Sequence, residues 1–237
     1  MISGPIIAEI AALLGDPARA TMISALLDGR ALTASELALA ARITPQTAST
    51  HLAKLTEAGL LSALRSGRHR YFRLASPTVA EMIDGIVAVA LAKRPRFRPV
   101  SGEGRAVSAA RICYDHLAGR LSVALTDSLV ARQYVVLDNE AAQITPAGTR
   151  FLSGFGIALP ALGSARRHFC RLCLDWTERR PHIAGAVGAA ITRRYFDLGW
   201  MERMKRSHAV VVTARGRRGF LETFGVDASE PADRRAR

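Results

Sequence analysis

The segment TPQTASTHLAKLTEAGLL at residues 44–61 constrains the fold of this chain more than any other stretch. Thr44 can cap a helix, and Pro45 suits the first helical position, whose N–H has no partner within the helix. Apolar residues then follow at three- and four-residue spacing, which predicts a helix with one face turned inward. These apolar residues are Ala48, Leu52 and Leu55.

The opposite face of this predicted helix carries short polar side chains and a single lysine. Its members are Gln46, Thr47, Ser49, Thr50, His51 and Lys54. Such a nearly uncharged, hydrogen-bonding face is typical of a helix that lies in the DNA major groove. An ordinary surface helix is the alternative, and the neighbouring segments decide between the two.

Three shorter helices are predicted before this segment, at residues 6–14, 17–29 and 36–41, the last capped by Thr33 or Ser35. A tight turn at residues 42–43 then leads into the polar-faced helix, which is the helix-turn-helix arrangement.

A basic hairpin is predicted after the segment, with strands at residues 60–65 and 69–74. Its tip carries Arg65, Arg68, His69 and Arg70. We expect these groups to contact phosphates or the minor groove, with a solvated loop as the alternative. The helix predicted at residues 77–91 has more apolar surface than a small winged helix can cover, which favours a dimer interface.

These segments resemble the winged helix-turn-helix repressors of the ArsR/SmtB family over residues 5–92. The resemblance is carried by LGDPAR at 14–19, ISALL at 23–27, SELA at 35–38, TPQTASTHLAKL at 44–55 and EAGLL at 57–61. It implies a homodimeric repressor that an inducer, often a metal or metalloid, releases from its operator. The family's usual metal ligands are missing here, since residues 35–39 lack cysteine and residues 78–92 lack histidine. We therefore expect sensing to occur elsewhere in the chain.

Composition favours a nucleic-acid partner. The 237 residues include 33 Lys and Arg against 20 Asp and Glu, a formal charge of +13. The N-terminus has no secretory signal pattern and no apolar window is long enough to span a membrane, so we expect a cytoplasmic protein without a membrane partner. Three cysteines, an odd number without framework spacing, fit a reducing compartment.

Four motifs recur in order beyond residue 100, which predicts an internal duplication. They are RICYD at 111–115 and RLCLD at 171–175, HLAG at 116–119 and HIAG at 182–185, ITPAG at 144–148 and VTARG at 212–216, and FGI at 155–157 and FGV at 224–226. Each copy is interpreted as helix, helix, valine-rich strand and helix.

The predicted fold is mainly α with small β-hairpin wings. The first domain is a winged helix-turn-helix for DNA binding and dimerisation, and the C-terminal half consists of two degenerate winged-helix-like repeats with a sensor role. The predicted bounds are 1–94 for the first domain, 95–104 for a basic linker, 105–226 for the duplicated half (repeats 105–160 and 165–226) and 227–237 for a disordered tail.

Polar groups of the duplicated half are the candidate effector or metal ligands. They are Cys113, Asp115, His116, Cys170, Cys173, Asp175, Trp176 and His182. On predicted helices, the three-residue spacing places Cys113 with His116, and Cys170 with Cys173, on shared faces. Three interpretations stay open: a structural polar network, a small-molecule inducer pocket between the repeats, and a site for a thiophilic metal ion or an arsenical. The sequence accordingly leaves the cofactor unknown, with none and a thiophilic metal ion as the two open alternatives.

The function predicted from the sequence is transcription regulation, by a homodimeric repressor on double-stranded operator DNA with an unknown small-molecule or metal inducer. One alternative is a metal- or thiol-responsive sensor that uses Cys113, Cys173, His116 and His182. A second is an enzyme that uses Cys113 and His116 as a thiol–imidazole pair. No glycine-rich phosphate loop, nucleophile elbow or His-Glu metal motif accompanies that pair, so we expect no enzyme. Another alternative is an architectural DNA protein without operator preference.

Overall fold

The computed structural model of the chain describes residues 4–92, 101–138, 141–162, 168–204 and 207–229. The chain divides into two compact units, Met1–Ile83 and Asp84–Arg237. The basic part of the predicted linker, residues 93–100, and residues 230–237 of the predicted tail lie outside the described residues.

The first unit is a winged helix-turn-helix fold. Its elements are α1 (Gly4–Leu14), α2 (Pro17–Ala25), β1 (Leu32–Thr33), α3 (Ala34–Ala41), α4 (Pro45–Glu57), β2 (Leu61–Ser66) and β3 (His69–Leu74), followed by α5 (Pro77–Ala92), which continues into the second unit. The three strands form an antiparallel sheet in the order β1-β3-β2. The sequence predicted these elements except β1, whose two residues are too few to show an alternating pattern.

Side-chain caps determine where the helices of the first unit begin. Thr33 and Glu36 form a capping box at the start of α3. The hydroxyl of Thr44 accepts a hydrogen bond from the backbone N–H of Thr47 at the start of α4, where Pro45 takes the first helical position as predicted. The predicted inner face of α4 is fully buried and consists of Ala48, Leu52 and Leu55.

The second unit alternates hairpins and helices. Its elements are α6 (Gly102–Ala109), β4 (Arg111–Cys113), β5 (His116–Ala118), α7 (Arg120–Ala131), β6 (Val135–Asp138), β7 (Ala141–Ile144), α8 (Pro146–Gly154), α9 (Leu159–Leu162), β8 (Arg171–Leu174), β9 (Pro181–Ala184), α10 (Gly185–Asp197), β10 (Met201–Arg203), β11 (Val210–Val212) and α11 (Ala214–Phe224). The sheets are β4-β5, β6-β7-β8-β9 and β10-β11. Ser101 caps α6, so residues 102–104, predicted as linker, are helical.

The order hairpin, helix, hairpin, helix occurs twice in this unit, first from β4 to α8 and then from β8 to α11. Thr145 caps α8 through the N–H of Gly148, and Thr213 caps α11 through the N–H of Gly216. A Cβ atom on either glycine would lie 2.0 Å from a backbone carbonyl oxygen, of Tyr134 in the first case and of Trp200 in the second. Helix and hairpin thus pack equally closely at corresponding places.

The prediction of helices around the candidate cysteines and histidines is wrong. Cys113 and His116 lie on the facing strands β4 and β5, and Cys173 and His182 lie on β8 and β9. Tyr114 adopts a left-handed conformation with φ of 56°, which turns the chain back between β4 and β5. The valine-rich strands expected after residues 134 and 208 are present as β6 and β11.

An aromatic core holds the second unit together. Tyr195, Phe220 and Phe224 are almost completely buried, and the Tyr195 ring contacts both others edge-on at 4.9 and 5.9 Å. Such pairs stabilise a core beyond the area that they bury. Among the helices described, not one combines the length and the apolar character needed to cross a lipid bilayer.

Candidate DNA-binding surface and cysteine–histidine cluster

The outer face of α4 is exposed along its length. Gln46, Thr47, Ser49, Thr50 and Lys54 are all exposed. The hydroxyl of Ser49 donates to the carbonyl of Pro45 at 2.9 Å, so it is satisfied within the helix and can rotate towards another acceptor. This face therefore presents short hydrogen-bonding groups without a fixed charge until Lys54.

His51 is the member of this face that the structure places differently from the prediction. It is half-buried, and Nη1 of Arg19 lies 3.3 Å from its Nδ1. Arg19 is itself held by the carbonyls of Leu13 and Ala12, at 2.7 and 3.0 Å. His51 is therefore attached to the end of α1 and has one ring nitrogen left for an outside partner.

The hairpin β2–β3, which we call the wing, is basic and exposed at its tip. Arg65, Arg68, His69 and Arg70 are exposed, and Arg65 stands directly opposite Arg70 in the strand register. Like charges at such a pair destabilise a sheet. Within the described chain no acidic side chain forms an ion pair with Arg65, Arg68 or Arg70. An anion from outside the protein would relieve this repulsion.

Two hairpins of the second unit bring two cysteines and two histidines together. Cys113 pairs with His116 across β4–β5, and Cys173 pairs with His182 across β8–β9. Directly opposed residues of an antiparallel pair point to the same side, so each thiol lies beside an imidazole. The His116 and His182 rings are 5.1 Å apart. We call these four residues the cysteine–histidine cluster.

Asp84 joins this cluster and was missed by the sequence analysis. The Cys113 thiol donates to Oδ2 of Asp84 at 3.2 Å, and Sγ of Cys173 lies 3.8 Å from the same oxygen. Asp84 lies four residues after the buried Ala80 and one after the buried Ile83. An acidic residue on the apolar face of α5 was the signal that could have identified it.

A family model described as "Helix-turn-helix domain" matches residues 14–62. The uncharacterized HTH-type transcriptional regulator YdfF from Bacillus subtilis is 41% identical to this chain over 222 residues, which covers 94% of this chain and 98% of YdfF. The chain belongs to the HTH-type transcriptional regulators. Because the match to YdfF covers nearly the whole chain, the second unit of this regulator is shared with YdfF.

Two solved structures are similar to part of the regulator. One is the homodimeric winged helix-turn-helix domain of Mb0332 from Mycobacterium bovis, a possible ArsR-family regulator, at 25% identity over 41% of this chain and 89% of that chain, with a TM-score of 0.36. The other is the cadmium sensor CMTR from Mycobacterium tuberculosis, at 32% identity, 40% and 98% coverage and a TM-score of 0.31. The helix-turn-helix domain and the role in transcription regulation that the sequence predicted are confirmed.

Electrostatic interactions within the cluster shift the pKa values of the regulator's two cluster thiols in opposite directions. The neighbouring Cys113 and the adjacent imidazoles hold the pKa of Cys173 well below its usual range, while the neighbouring Cys173 and burial raise the pKa of Cys113. Burial disfavours a charged His116, but Asp115 and Cys173 outweigh it and raise its pKa to about 9. Burial and the Cys173 charge raise the pKa of Asp84 to about 6.

Asp175 is a structural residue rather than a free ligand. Its carboxylate accepts hydrogen bonds from Arg111 at 2.8 Å, the Gly119 N–H at 2.6 Å, the hydroxyl and N–H of Thr177 at 2.6 and 2.9 Å, and the Glu178 N–H at 2.9 Å. Burial opposes its ionisation, but the charge of Arg111 and these donors lower its pKa. The carboxylate therefore fastens β4–β5 to the turn after β8.

Two other candidates also lie outside the cluster. The indole of Trp176 stacks on the guanidinium of Arg111, 4.6 Å from the ring centroid. Cys170 is half-buried against the apolar core, where burial raises the pKa of its thiol to about 12. Cys170 lies in the bend before β8, outside the strand that carries Cys173.

A cavity of about 620 Å³ also opens in the second unit. Its lining combines apolar residues of α6, α7 and β11 with the charged side chains of Arg120, Arg217 and Asp227. Small-molecule sites in proteins have this size and this mixture of apolar walls with few charged groups.

Proposed function

We propose that this regulator is a homodimeric repressor that binds operator DNA through α4 and the wing and is released when an inducer binds the second unit. The observation that carries the proposal is the exposed surface of the first unit, which has an uncharged hydrogen-bonding helix face and wing arginines that form no ion pair with an acidic side chain among the described residues. Base edges offer hydrogen-bond partners to the helix face, and phosphates offer negative charge to the arginines.

The DNA contacts divide into two kinds. Side chains in the first turns of α4 read base edges, namely Gln46, Thr47, Ser49 and Thr50, with His51 offering its remaining ring nitrogen. Cations of the helix end and of the wing bind phosphates, namely Lys54, Arg65, Arg68, His69 and Arg70. Base contacts determine which sequence is preferred, while phosphate contacts supply affinity that salt weakens.

Exposed apolar helices support the homodimer. Helix α1 has no buried residue, and its Ile6 and Ile7 are each 59% exposed. Ile86 and Val89 of α5 are 50% and 77% exposed. Apolar side chains that one copy leaves in water gain free energy when a second copy covers them.

Features of the second unit support a sensor role. It holds the cysteine–histidine cluster and the cavity, and its repeated hairpin–helix order supports duplication of one ancestral segment, as the sequence motifs predicted. Helix α5 carries buried Ile83 of the first unit and cluster residue Asp84 of the second. A ligand that moves Asp84 therefore acts on the helix that the DNA-binding unit shares.

Operator binding tests the first part of the proposal. The preferred sequence is selected from random duplexes with the full chain, and its affinity is measured against salt. R68A/R70A should weaken binding to all sequences and flatten the log–log salt slope by up to about 2, since each phosphate contact contributes about 0.9. Q46A/T47A should change the preferred sequence.

The matched control is R150A/R193A, which removes two exposed arginines of the second unit. Its affinity and salt slope should stay close to those of the wild type. An equal loss in both double variants, without any operator preference, would instead indicate an architectural DNA protein.

Sedimentation tests the dimer. I6E/I7E should shift the full chain towards the monomer, because charges at an apolar interface lose their hydration. L39E, which alters the 63% exposed Leu39 on α3, is the control and should sediment as the wild type does. A wild-type monomer at operator-saturating concentration would contradict the dimer.

A further inference from the structure

Three donor atoms of the cluster converge on one point. Sγ of Cys113, Sγ of Cys173 and a ring nitrogen of His116 all lie within 4.8 Å of one another. Two of these residues are buried, and Cys113 is half-buried. Soft thiolates beside an imidazole are the donors that zinc and other thiophilic cations prefer.

The carboxylate of Asp84 fits the fourth corner of such a site. A tetrahedral zinc ion with bonds of about 2.3 Å to sulfur and about 2.0 Å to oxygen places those two ligand atoms about 3.5 Å apart. Oδ2 of Asp84 lies 3.2 Å from the sulfur of Cys113 and 3.8 Å from that of Cys173. Both separations are close to the tetrahedral distance.

His116 is oriented as a metal ligand would be. Its Nδ1 lies 3.5 Å from Oδ1 of Asp115, while its buried Nε2 has no hydrogen-bond partner in the described parts of the chain. Metal-bound histidines usually direct their other nitrogen at a carboxylate or a carbonyl, which fixes the ring. This arrangement leaves Nε2 as the ligand atom.

From these contacts the geometry points to a site for one thiophilic divalent cation of the zinc class, bound by Cys113, Cys173, His116 and Asp84. Asp115 is a positioning residue that orients His116. His182 is fully buried and packs its ring on His116 without being a ligand. Since Asp84 lies on α5, the bound cation also weakens operator binding, a consequence that rests on the proposed function.

Cobalt titration tests the site. The reduced full chain is stripped of metal with a chelator and titrated with Co²⁺, a spectroscopic substitute for Zn²⁺. We expect saturation at one ion per chain, with a thiolate-to-cobalt charge-transfer band and the intense visible bands of four-coordinate cobalt, both removed by Zn²⁺. Reduced thiols without a charge-transfer band would overturn the site.

Cysteine variants locate the thiolate ligands. C113S and C173S should each lose most of the charge-transfer intensity, whereas C170S, the matched control, should keep it. In the wild type, Zn²⁺ should protect Cys113 and Cys173 from alkylation and leave Cys170 unchanged, as measured by mass spectrometry. This protection assay needs no variant, so it remains decisive if C113S or C173S misfolds. Equal alkylation of all three thiols with and without Zn²⁺ would overturn the assignment.

Asp84 and His182 are distinguished by two further variants. D84N should keep the charge-transfer band, alter the visible bands and weaken Co²⁺ affinity at least about tenfold, because an amide is a poorer ligand than a carboxylate. H182Q should keep the wild-type visible bands. The opposite result, with altered visible bands in H182Q and unchanged ones in D84N, would assign the fourth corner to His182 and overturn the role of Asp84.

Operator affinity, measured with and without Zn²⁺, tests the link to DNA. Zn²⁺ should weaken operator binding of the wild type and of C170S about tenfold, a typical coupling between two sites, and should not affect C113S. If the wild type shows the cobalt charge-transfer and visible bands but Zn²⁺ leaves its operator affinity unchanged, only the inducer role would be overturned. A metal-free chain that binds no DNA would overturn the proposed function, and the cobalt titration would still decide the site.

Discussion

The hairpins β4–β5 and β8–β9 carry the same cysteine–histidine pair but close through different turns. Residues 114–115 close the first, and residues 175–180 close the second. Asp115 is half-buried beside His116. Asp175, which occupies the same place in the repeated motif, is fully buried, and its carboxylate accepts five hydrogen bonds. The same position thus lies beside His116, a ligand in the proposed metal site, in one hairpin and is a structural anchor in the other.

Asp175→Asn should give the largest effect on stability. It leaves the buried Arg111 without its anionic partner, which costs about 3–5 kcal/mol for a broken buried pair. Urea unfolding followed by tryptophan fluorescence measures this selectively, because both tryptophans, Trp176 and Trp200, lie in the second unit.

Asp127→Asn is the control for this prediction. Asp127 pairs with Arg180 at the surface, where both side chains are about half exposed, so its loss should cost less than about 1 kcal/mol. Equal unfolding midpoints for the two variants would contradict the structural role of Asp175 and make the two hairpins equivalent.

Gly119→Ala and Gly185→Ala should destabilise the unit by similar amounts, about 1–3 kcal/mol each. Both glycines have positive φ, 90° and 76°, and a Cβ atom would lie 2.9 Å from the Ser108 carbonyl oxygen in one case and 2.7 Å from the His168 carbonyl oxygen in the other. The same fluorescence assay measures both variants. Gly154→Ala, where a Cβ has open space, should be nearly neutral. A large difference in destabilisation between Gly119→Ala and Gly185→Ala would show that only one hairpin needs its glycine.

The sequence predicted the first unit well because its signals are local. The caps at Thr33 and Thr44 and the three- and four-residue spacing of apolar residues each depend on neighbours within one helical turn. The two-residue strand β1 offered no such signal. Exposure along α4 and the wing followed from the same periodicity, so most candidate DNA contacts could be chosen from the sequence alone.

The sequence predicted which residues form the cysteine–histidine cluster, but not the strands that carry them. A spacing of three residues between Cys113 and His116 fits one helix face, and it equally fits two strands joined by a two-residue turn. Strands of three or four residues are too short for alternation to distinguish these cases. Asp84 is 29 residues from Cys113 and 89 from Cys173, so only the tertiary fold brings the three together.

Asp115→Asn tests the other half of the comparison between the hairpins. Since Asp115 is 28% exposed and is the proposed partner that orients His116, its loss should change stability by less than about 1 kcal/mol. It should weaken Co²⁺ binding about 10- to 100-fold, as for other carboxylates that hydrogen-bond a metal-bound histidine. Competition with a chelator of known affinity measures the change. An unfolding midpoint lowered as far as that of Asp175→Asn would show that both aspartates are anchors.

The smallest effect on stability is expected in the wing, whose tip arginines Arg65, Arg68 and Arg70 form no ion pair within the described chain. Arg65→Gln removes the repulsion from Arg70 across the strands and should stabilise the first unit by about 0.3 kcal/mol while weakening operator binding. Hydrogen exchange of the β2 and β3 amides measures the stability. Arg73→Gln, the control on the same sheet, removes a hydrogen bond to Ser62 and should lower protection without a comparable loss of DNA affinity. If Arg65→Gln lowered protection instead, Arg65 would hold the wing together, and the contrast with the anchored hairpin β8–β9 would disappear.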